Sequence, residues 1–297
     1  MQKNFSRTTV MSVLKNILAD VPSLHPETAT WIFVKTLRVL KKDFERVSNV
    51  DPVQFENMVK FAIAVRSGKT LAEVFGEVEF FGNILKTAPN VFAPRLSTEA
   101  LVNAVINQNA HKKNLKILDL CTGSGSVAVT LAKHLNAKVV AVDISREALT
   151  VAKENAARLG VQIALLQMDI KKDWKKLKNA KFDIIVSNPP YWNAEKIFNN
   201  ADVVKGNPLL GFDGGQDGLV FHKRILEMAP KFLTTSGQLY LEIDEDQLPI
   251  LYGMFEKDFA TITTEKDYRG ITRVLSGIKK MEHKKEEHIE NTTEQTK

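Results

Sequence analysis

The residues whose types are most specific for chemistry are Asn188-Pro189-Pro190-Tyr191. An amide or ring-conjugated amine nitrogen is a poor nucleophile, because its lone pair is delocalised, so a site that alkylates it must hold its N–H bonds. Asn188 offers a side-chain oxygen as one acceptor. The Pro189 carbonyl, stiffened by the prolines, offers a second, and the nitrogen is thereby aimed at an electrophilic carbon. Tyr191 supplies an aromatic face on which a planar group stacks, and Pro190 keeps the turn rigid. Neither a general base nor a metal is needed, since the proton can leave after the new bond has formed. The same four residues also read as a stiff strand-ending turn with no chemical role.

The second constellation is Asp119-Leu120-Cys121-Thr122-Gly123-Ser124-Gly125, which leads from a short apolar run into a helical stretch over residues 127–135. Glycines allow a sharp strand-to-helix turn and let a ligand approach the backbone at the carboxyl edge of a doubly wound sheet. Gly123, Gly125 and Ala128 also satisfy a dinucleotide fingerprint, which keeps an NAD-dependent oxidoreductase open. Asp143, with Ile144 beside it, ends the next strand roughly 20 residues beyond Gly125, where a carboxylate accepts from ribose hydroxyls of either cofactor. Asp119 separates the two: a carboxylate there repels pyrophosphate and attracts the cationic aminoacyl end of S-adenosylmethionine. Asp169 and Ile170, after a third strand, are candidates for the adenine amino group and ring. Asp169 also reads as a helix cap, and Trp174 as an alternative ring partner.

The elements that must position these residues form two patterns. Residues 22–68 place Trp31, Val34, Leu37 and Leu40, then Phe55, Met58, Val59 and Ala62, at helical spacing, with Asp51-Pro52 opening the second helix and Gly68 stopping it. Residues 76–94 are rich in Phe and turn residues and read as a hairpin. From Leu101 onward, apolar runs at 116–119, 139–143, 163–166, 183–187 and 239–243 alternate with helical stretches, and two more candidates lie near 261–265 and 273–276. Continuous apolar strands are those covered on both faces, so the expected fold is α/β, a mainly parallel doubly wound sheet of about seven strands. The expected division is a helical domain over 1–74, a hairpin linker over 75–97, a catalytic domain over 98–278 and a disordered polar tail over 279–297.

Of the 297 residues 44% are hydrophobic, with no apolar run long enough to span a membrane, so no membrane partner is expected. A single cysteine excludes an internal disulfide framework and a cysteine-built zinc site. The net charge of +6 is spread along the chain. Residues 1–19 contain Lys3, Arg7 and Lys15 and no acid, and read either as a presequence for the mitochondrial matrix or as the first amphipathic helix of a cytoplasmic protein.

Taken together, the chain resembles the HemK/PrmC-type methyltransferases, which modify the glutamine of the Gly-Gly-Gln motif in peptide-chain release factors. The resemblance covers residues 22–276 and is carried by Arg66-Ser67-Gly68-Lys69, Phe80-Phe81-Gly82, Ala93-Pro94-Arg95 with Thr98-Glu99, the glycine-rich turn, the tetrapeptide, residues 214–219, Leu241-Glu242-Ile243 with Gln247, and residues 267–273. It implies a seven-stranded class I domain and a small helical domain that helps hold the release factor. It also implies S-adenosylmethionine bound by residues 121–125, Asp143, Asp169 or Ile170, and Asn188. The target glutamine would be held by residues 188–191, with Arg95 and Glu99 on the substrate side.

Two other substrates share these features. The form Asp-Leu-Cys-Thr-Gly-Ser-Gly is also that of sister enzymes acting on glutamine in a large-subunit ribosomal protein. Adenine-N6 methyltransferases use the same tetrapeptide on a flipped base. The first 85 residues carry 11 basic and 9 acidic side chains, a balance that argues against stable DNA binding. Lysines 171, 172, 175, 176, 178 and 181 read as a solvated helix face or an RNA contact. A binding module without activity is the reading from a different class, and the two intact motifs oppose it. A monomer is expected.

Overall fold

In the computed structural model, residues 4–19, 21 and 26–281 are described. The chain begins as a helical unit. Ser6 caps the helix Arg7–Leu18 by accepting the Thr9 N–H at 3.1 Å, and Val10, Leu14 and Leu18 fall on its buried face. They pack on Ile32 and Phe33 of the helix Thr28–Leu37 and on Met58, Ala62 and Val65 of the helix Pro52–Arg66. Residues 7–18 are therefore built into a hydrophobic core. The helix Pro52–Arg66 starts as its sequence predicts: Asp51 accepts the Gln54 N–H at 2.9 Å in a capping box, with Pro52 at the first helical position.

A short helix, Leu71–Phe75, leads into a hairpin of Glu77–Phe80 against Asn83–Lys86. Its two-residue turn puts Phe81 and Gly82 at φ of 49° and 69°, the mirror-image turn whose twist suits a hairpin. Phe80 and Leu85 then enter the core of the next unit beside the helices Glu99–Asn109 and Ser126–Leu135.

That unit is a seven-stranded sheet. In chain order its strands are β1 Lys116–Leu120, β2 Lys138–Asp143, β3 Ile163–Gln167, β4 Phe182–Ser187, β5 Leu233–Glu242, β6 Phe259–Lys266 and β7 Thr272–Lys279. Their spatial order is β6-β7-β5-β4-β1-β2-β3, parallel from β5 through β3 and antiparallel at β7 and β6. All seven strand candidates of the sequence are present. Successive residues alternate between two cores: Ile117, Val139, Ile184 and Tyr240 face the helices Glu99–Asn109 and Ser126–Leu135. Leu118, Val142, Ile185 and Leu239 face the helices Val220–Phe232 and Leu248–Asp258. Strand order reverses between β4 and β1, which opens a crevice at their carboxyl ends.

Among the described residues no helix is long and apolar enough to cross a membrane. The lysine-rich run does not lie on an α-helix; Trp174–Leu177 is a 3-10 turn. Lys172 pairs with Asp169, Lys176 with Asp173, and Lys181 donates to the Lys231 carbonyl. The polar tail expected from residue 279 lies outside the described residues from 282 on, and Lys279 is itself the last residue of β7.

Candidate active site

The crevice holds a cavity of about 350 Å³, lined along its floor by the carboxyl ends of β1, β2 and β4. Asp119, Cys121, Thr122, Gly123, Ser124, Asp143, Ile144, Asp169, Ile170, Asn188 and Pro190 all line it. The fold thus brings together residues spread over some seventy positions of the chain.

The glycine-rich turn is held by side chains at both ends. Thr122 Oγ1 donates to Asp119 Oδ2 at 2.6 Å, and the Gly123 N–H donates to Asp143 Oδ2 at 2.8 Å. The other Asp143 oxygen accepts the Ser145 N–H at 2.9 Å. Gly125 has φ of +81°, and a Cβ there would stand 2.7 Å from the Ala152 Cβ, so the turn lies flat on the helix Arg146–Arg158. Gly125 does not line the cavity; its role is this close approach.

Burial dominates the electrostatics. Asp119 is 1% exposed and its carboxyl is pushed up to about 7, against the pull of the Thr122 hydrogen bond. Asp143 is raised as well, again chiefly by desolvation and despite its backbone donors. The Cys121 thiol is pushed well above its usual range by burial and then by Asp143 and Asp119, so it lines the cavity as a neutral group. A buried Asp119 and a half-buried Asp143 at neighbouring strand ends suit a ligand that is itself cationic and carries sugar hydroxyls. Asp169 does two things at once: it lines the cavity, and its Oδ1 accepts the Lys171 N–H at 2.9 Å across a turn, with no helix beginning there. Trp174 is not a ring partner for a ligand. It is 1% exposed, its indole N–H donates to the Ile170 carbonyl, and it packs on Phe232 in the core.

Asn188 reaches the cavity from the end of β4, with its Nδ2 donating to Thr98 Oγ1 at 3.0 Å. Pro189 is buried and does not line the cavity. Tyr191 lies behind the wall: its hydroxyl donates to Glu242 Oε1 at 3.1 Å, and its carbonyl accepts from Gln247 Nε2 at 2.9 Å.

Arg95 and Glu99 also stand off the cavity. The Arg95 guanidinium lies 5.2 Å from the Phe92 ring and 5.8 Å from the Phe212 ring, and donates to the Val203 carbonyl at 3.0 Å. It ties the segment after the tetrapeptide to the wall. Glu99 accepts the Phe81 N–H at 2.6 Å and so anchors the hairpin turn.

Three residues that sequence reasoning did not place contribute here. Thr98 lines the cavity and holds Asn188. Asn155, fully buried, joins the glycine-rich turn to the hairpin. Glu242 is 1% exposed among the apolar residues of β5. Only the last left a signal, an acid inside the run Leu239-Tyr240-Leu241-Glu242-Ile243.

A family model described as a methyltransferase domain matches residues 111–293. The release factor glutamine methyltransferase of Flavobacterium psychrophilum is 37% identical over 244 residues, which are 80% of this chain and 84% of that protein. The release factor glutamine methyltransferase of Lactococcus lactis is 31% identical over 272 residues, 82% of this chain and 99% of that one. A solved methyltransferase structure from Pyrococcus furiosus has a TM-score of 0.52 at 20% identity, over 68% of this chain and 91% of that one, a likeness of fold.

Proposed function

Since the chain belongs to the release factor glutamine methyltransferases, we propose that it methylates the side-chain amide nitrogen of the glutamine in the Gly-Gly-Gln motif of a peptide-chain release factor, with S-adenosylmethionine as donor. It is an S-adenosylmethionine-dependent glutamine methyltransferase. The observation that carries the reading is that Asn188 opens on the same cavity as the buried Asp119 and the half-buried Asp143.

S-adenosylmethionine supplies a methyl group on a sulfonium sulfur, electrophilic enough for attack by an amide nitrogen. The protein's part is placement. Asp119 at the end of β1 meets the aminoacyl ammonium, and Asp143 at the end of β2 accepts from the ribose hydroxyls. Ile144, Asp169 and Ile170 enclose the adenine, while Cys121, Thr122, Gly123 and Ser124 form the floor and Gly125 keeps it flat. Asn188 Oδ1 accepts an N–H of the target amide, with Pro189, Pro190 and Tyr191 fixing the shape of the wall behind it. An amide nitrogen held by Asn188 would be placed to take the methyl group, its N–H proton leaving to solvent while the bonding pair stays with the sulfonium sulfur.

Residues 1–74 are proposed to recognise the release factor, residues 75–97 to connect, and residues 98–278 to catalyse. Arg95 and Glu99 serve the substrate side by fixing the wall and the hairpin. The enzyme is proposed to act as a monomer without stable DNA binding. Burial of Val10 and Leu14 supports residues 7–18 as a permanent helix of the recognition domain and not a removable segment.

Tritium transfer from labelled S-adenosylmethionine to a recombinant release factor, its Gln→Ala variant, a large-subunit ribosomal protein and duplex DNA tests the reading. Label on the intact release factor alone is expected. An unlabelled release factor would refute the assignment.

A further inference from the structure

Residues 171–181 lie between β3 and β4 and carry six lysines against one acid, Asp173, a local charge of +5. All six lysines are exposed. The backbone beneath them is fixed. Trp174 and Leu177 are buried as anchors, and the N–H groups of Asp173, Lys176, Lys178 and Ala180 each donate to a carbonyl three or four residues back. The track starts at Lys171, which lines the cavity and whose ammonium lies 5.7 Å from the Phe221 ring. It ends at Lys181, which donates to the carbonyl of Lys231, itself an exposed ammonium resting 3.7 Å from the Met228 sulfur.

The fold does not call for these lysines. Any polar side chain serves at the exposed positions around the two anchors, whereas grouping like charges on a rigid segment costs self-repulsion. Lys172 is offset by Asp169 at 3.5 Å and Lys176 by Asp173 at 2.9 Å. Among the described residues Lys171, Lys175 and Lys178 form no ion pair. Elsewhere the basic residues scattered along the chain are nearly matched by acids, so most of the net +6 resides here.

We propose that this lysine track is a docking surface for an acidic face of the release factor, beside the loop that carries the target glutamine. The inference rests on the methyltransferase reading above. Three observations favour a protein partner. Lys171 makes the track continuous with the cavity, so a protein whose glutamine enters there overhangs the track at that rim. The track holds no arginine fork and no exposed aromatic ring, the groups with which nucleic-acid surfaces grip phosphates and stack bases. The helical unit assigned to recognition is close to neutral, with 11 basic and 9 acidic side chains in the first 85 residues, so steering by charge falls to the catalytic domain.

Each exposed ammonium gains little from a single carboxylate in water. Their summed field instead raises the rate of encounter, and salt screens it beyond a Debye length of about 8–10 Å. The track therefore acts on the second-order rate with the release factor and not on methyl transfer once the protein is docked. The test uses the full chain with Lys175→Glu/Lys178→Glu, the milder Lys175→Gln/Lys178→Gln, and Lys113→Glu/Lys153→Glu, which makes the same charge change at exposed lysines outside the track. It measures kcat and kcat/KM for the cognate release factor at low and high salt, S-adenosylmethionine affinity by calorimetry, and melting temperature.

The charge-reversal pair is expected to lose about tenfold in kcat/KM at low salt, with kcat and cofactor affinity within about twofold of wild type. The glutamine pair should lose less, and the pair outside the track should stay within about threefold. Wild-type kcat/KM should fall as salt rises, and that of the reversal pair should fall less. Wild-type kcat/KM in the reversal pair, an equal loss in the pair outside the track, or a kcat that falls as far as kcat/KM would overturn the docking role. Binding of a single-stranded RNA homopolymer that the reversal abolishes, beside unchanged release-factor kinetics, would assign the track to nucleic acid and overturn it too. A wild-type enzyme that leaves the release factor unlabelled would overturn the function itself; wild-type labelling with a salt-independent kcat/KM would overturn the docking role alone.

Discussion

Asn155 is joined to Lys86 in both directions, accepting its N–H at 2.7 Å and donating to its carbonyl at 3.0 Å. The same Nδ2 donates to the Ser124 carbonyl at 2.9 Å. One buried side chain on the helix Arg146–Arg158 thus holds the end of the hairpin against the glycine-rich turn. Asn155→Ala strands three backbone groups, so a loss of about 2–4 kcal/mol is expected, together with weaker cofactor binding. Denaturant unfolding and calorimetry read the two effects. Unchanged stability would remove the joining role.

Gly125→Ala is expected to be harmful for two separable reasons, the left-handed backbone at φ +81° and the 2.7 Å approach to Ala152. Each costs on the order of 1–3 kcal/mol. Adding Ala152→Gly relieves the second alone, so the double variant should recover part of the melting temperature. Recovery to the wild-type value would show that the backbone conformation costs nothing.

The raised Asp119 carboxyl gives cofactor binding a pH dependence. In the free protein its pKa lies near 7, above the ordinary 3.8, so this group's contribution to stability is full below about 3.8 and is lost as pH rises through about 7. Binding a cation favours the ionised form, so the cofactor is expected to release a proton and to bind more weakly as pH falls below about 7, by up to about tenfold per unit. Calorimetry over that range, in buffers of different ionisation enthalpy, measures both. Asp119→Asn should flatten the profile and bind weakly throughout; a wild-type affinity independent of pH would contradict the assignment.

The sheet was legible because its strands are apolar runs separated by helical stretches, and the glycine-rich turn and the tetrapeptide stand at strand ends where residue identity alone is informative. Thr98 and Asn155 were not legible as site residues. Both act through pairings with residues 90 and 69 positions away, and neither Ser, Thr nor Asn in a helix or turn signals such a partner locally. Trp174 misled for the opposite reason: an aromatic side chain after a strand looks the same in sequence whether it faces a ligand or the core. Tyr191 joins the tetrapeptide in sequence, yet its hydroxyl points away from the cavity to Glu242.

The N-terminal unit depends on its first helix. Leu14 is fully buried against Thr28–Leu37 and Pro52–Arg66, so Leu14→Ala should cost about 2–5 kcal/mol, and removing residues 1–20 should unfold that unit. If the unit holds the release factor, the truncated enzyme keeps cofactor affinity and loses affinity for the protein substrate. Equal release-factor KM in truncated and full-length enzyme would contradict the recognition role.

The central claim is that one amide nitrogen receives the methyl group. Fragmentation mass spectrometry of the release factor, after incubation with the enzyme and S-adenosylmethionine, locates it directly. A single added methyl on the side chain of the Gly-Gly-Gln glutamine, absent with the Asn188→Ala enzyme, is the predicted result; no methyl there, or methyl on any other residue, would contradict the account.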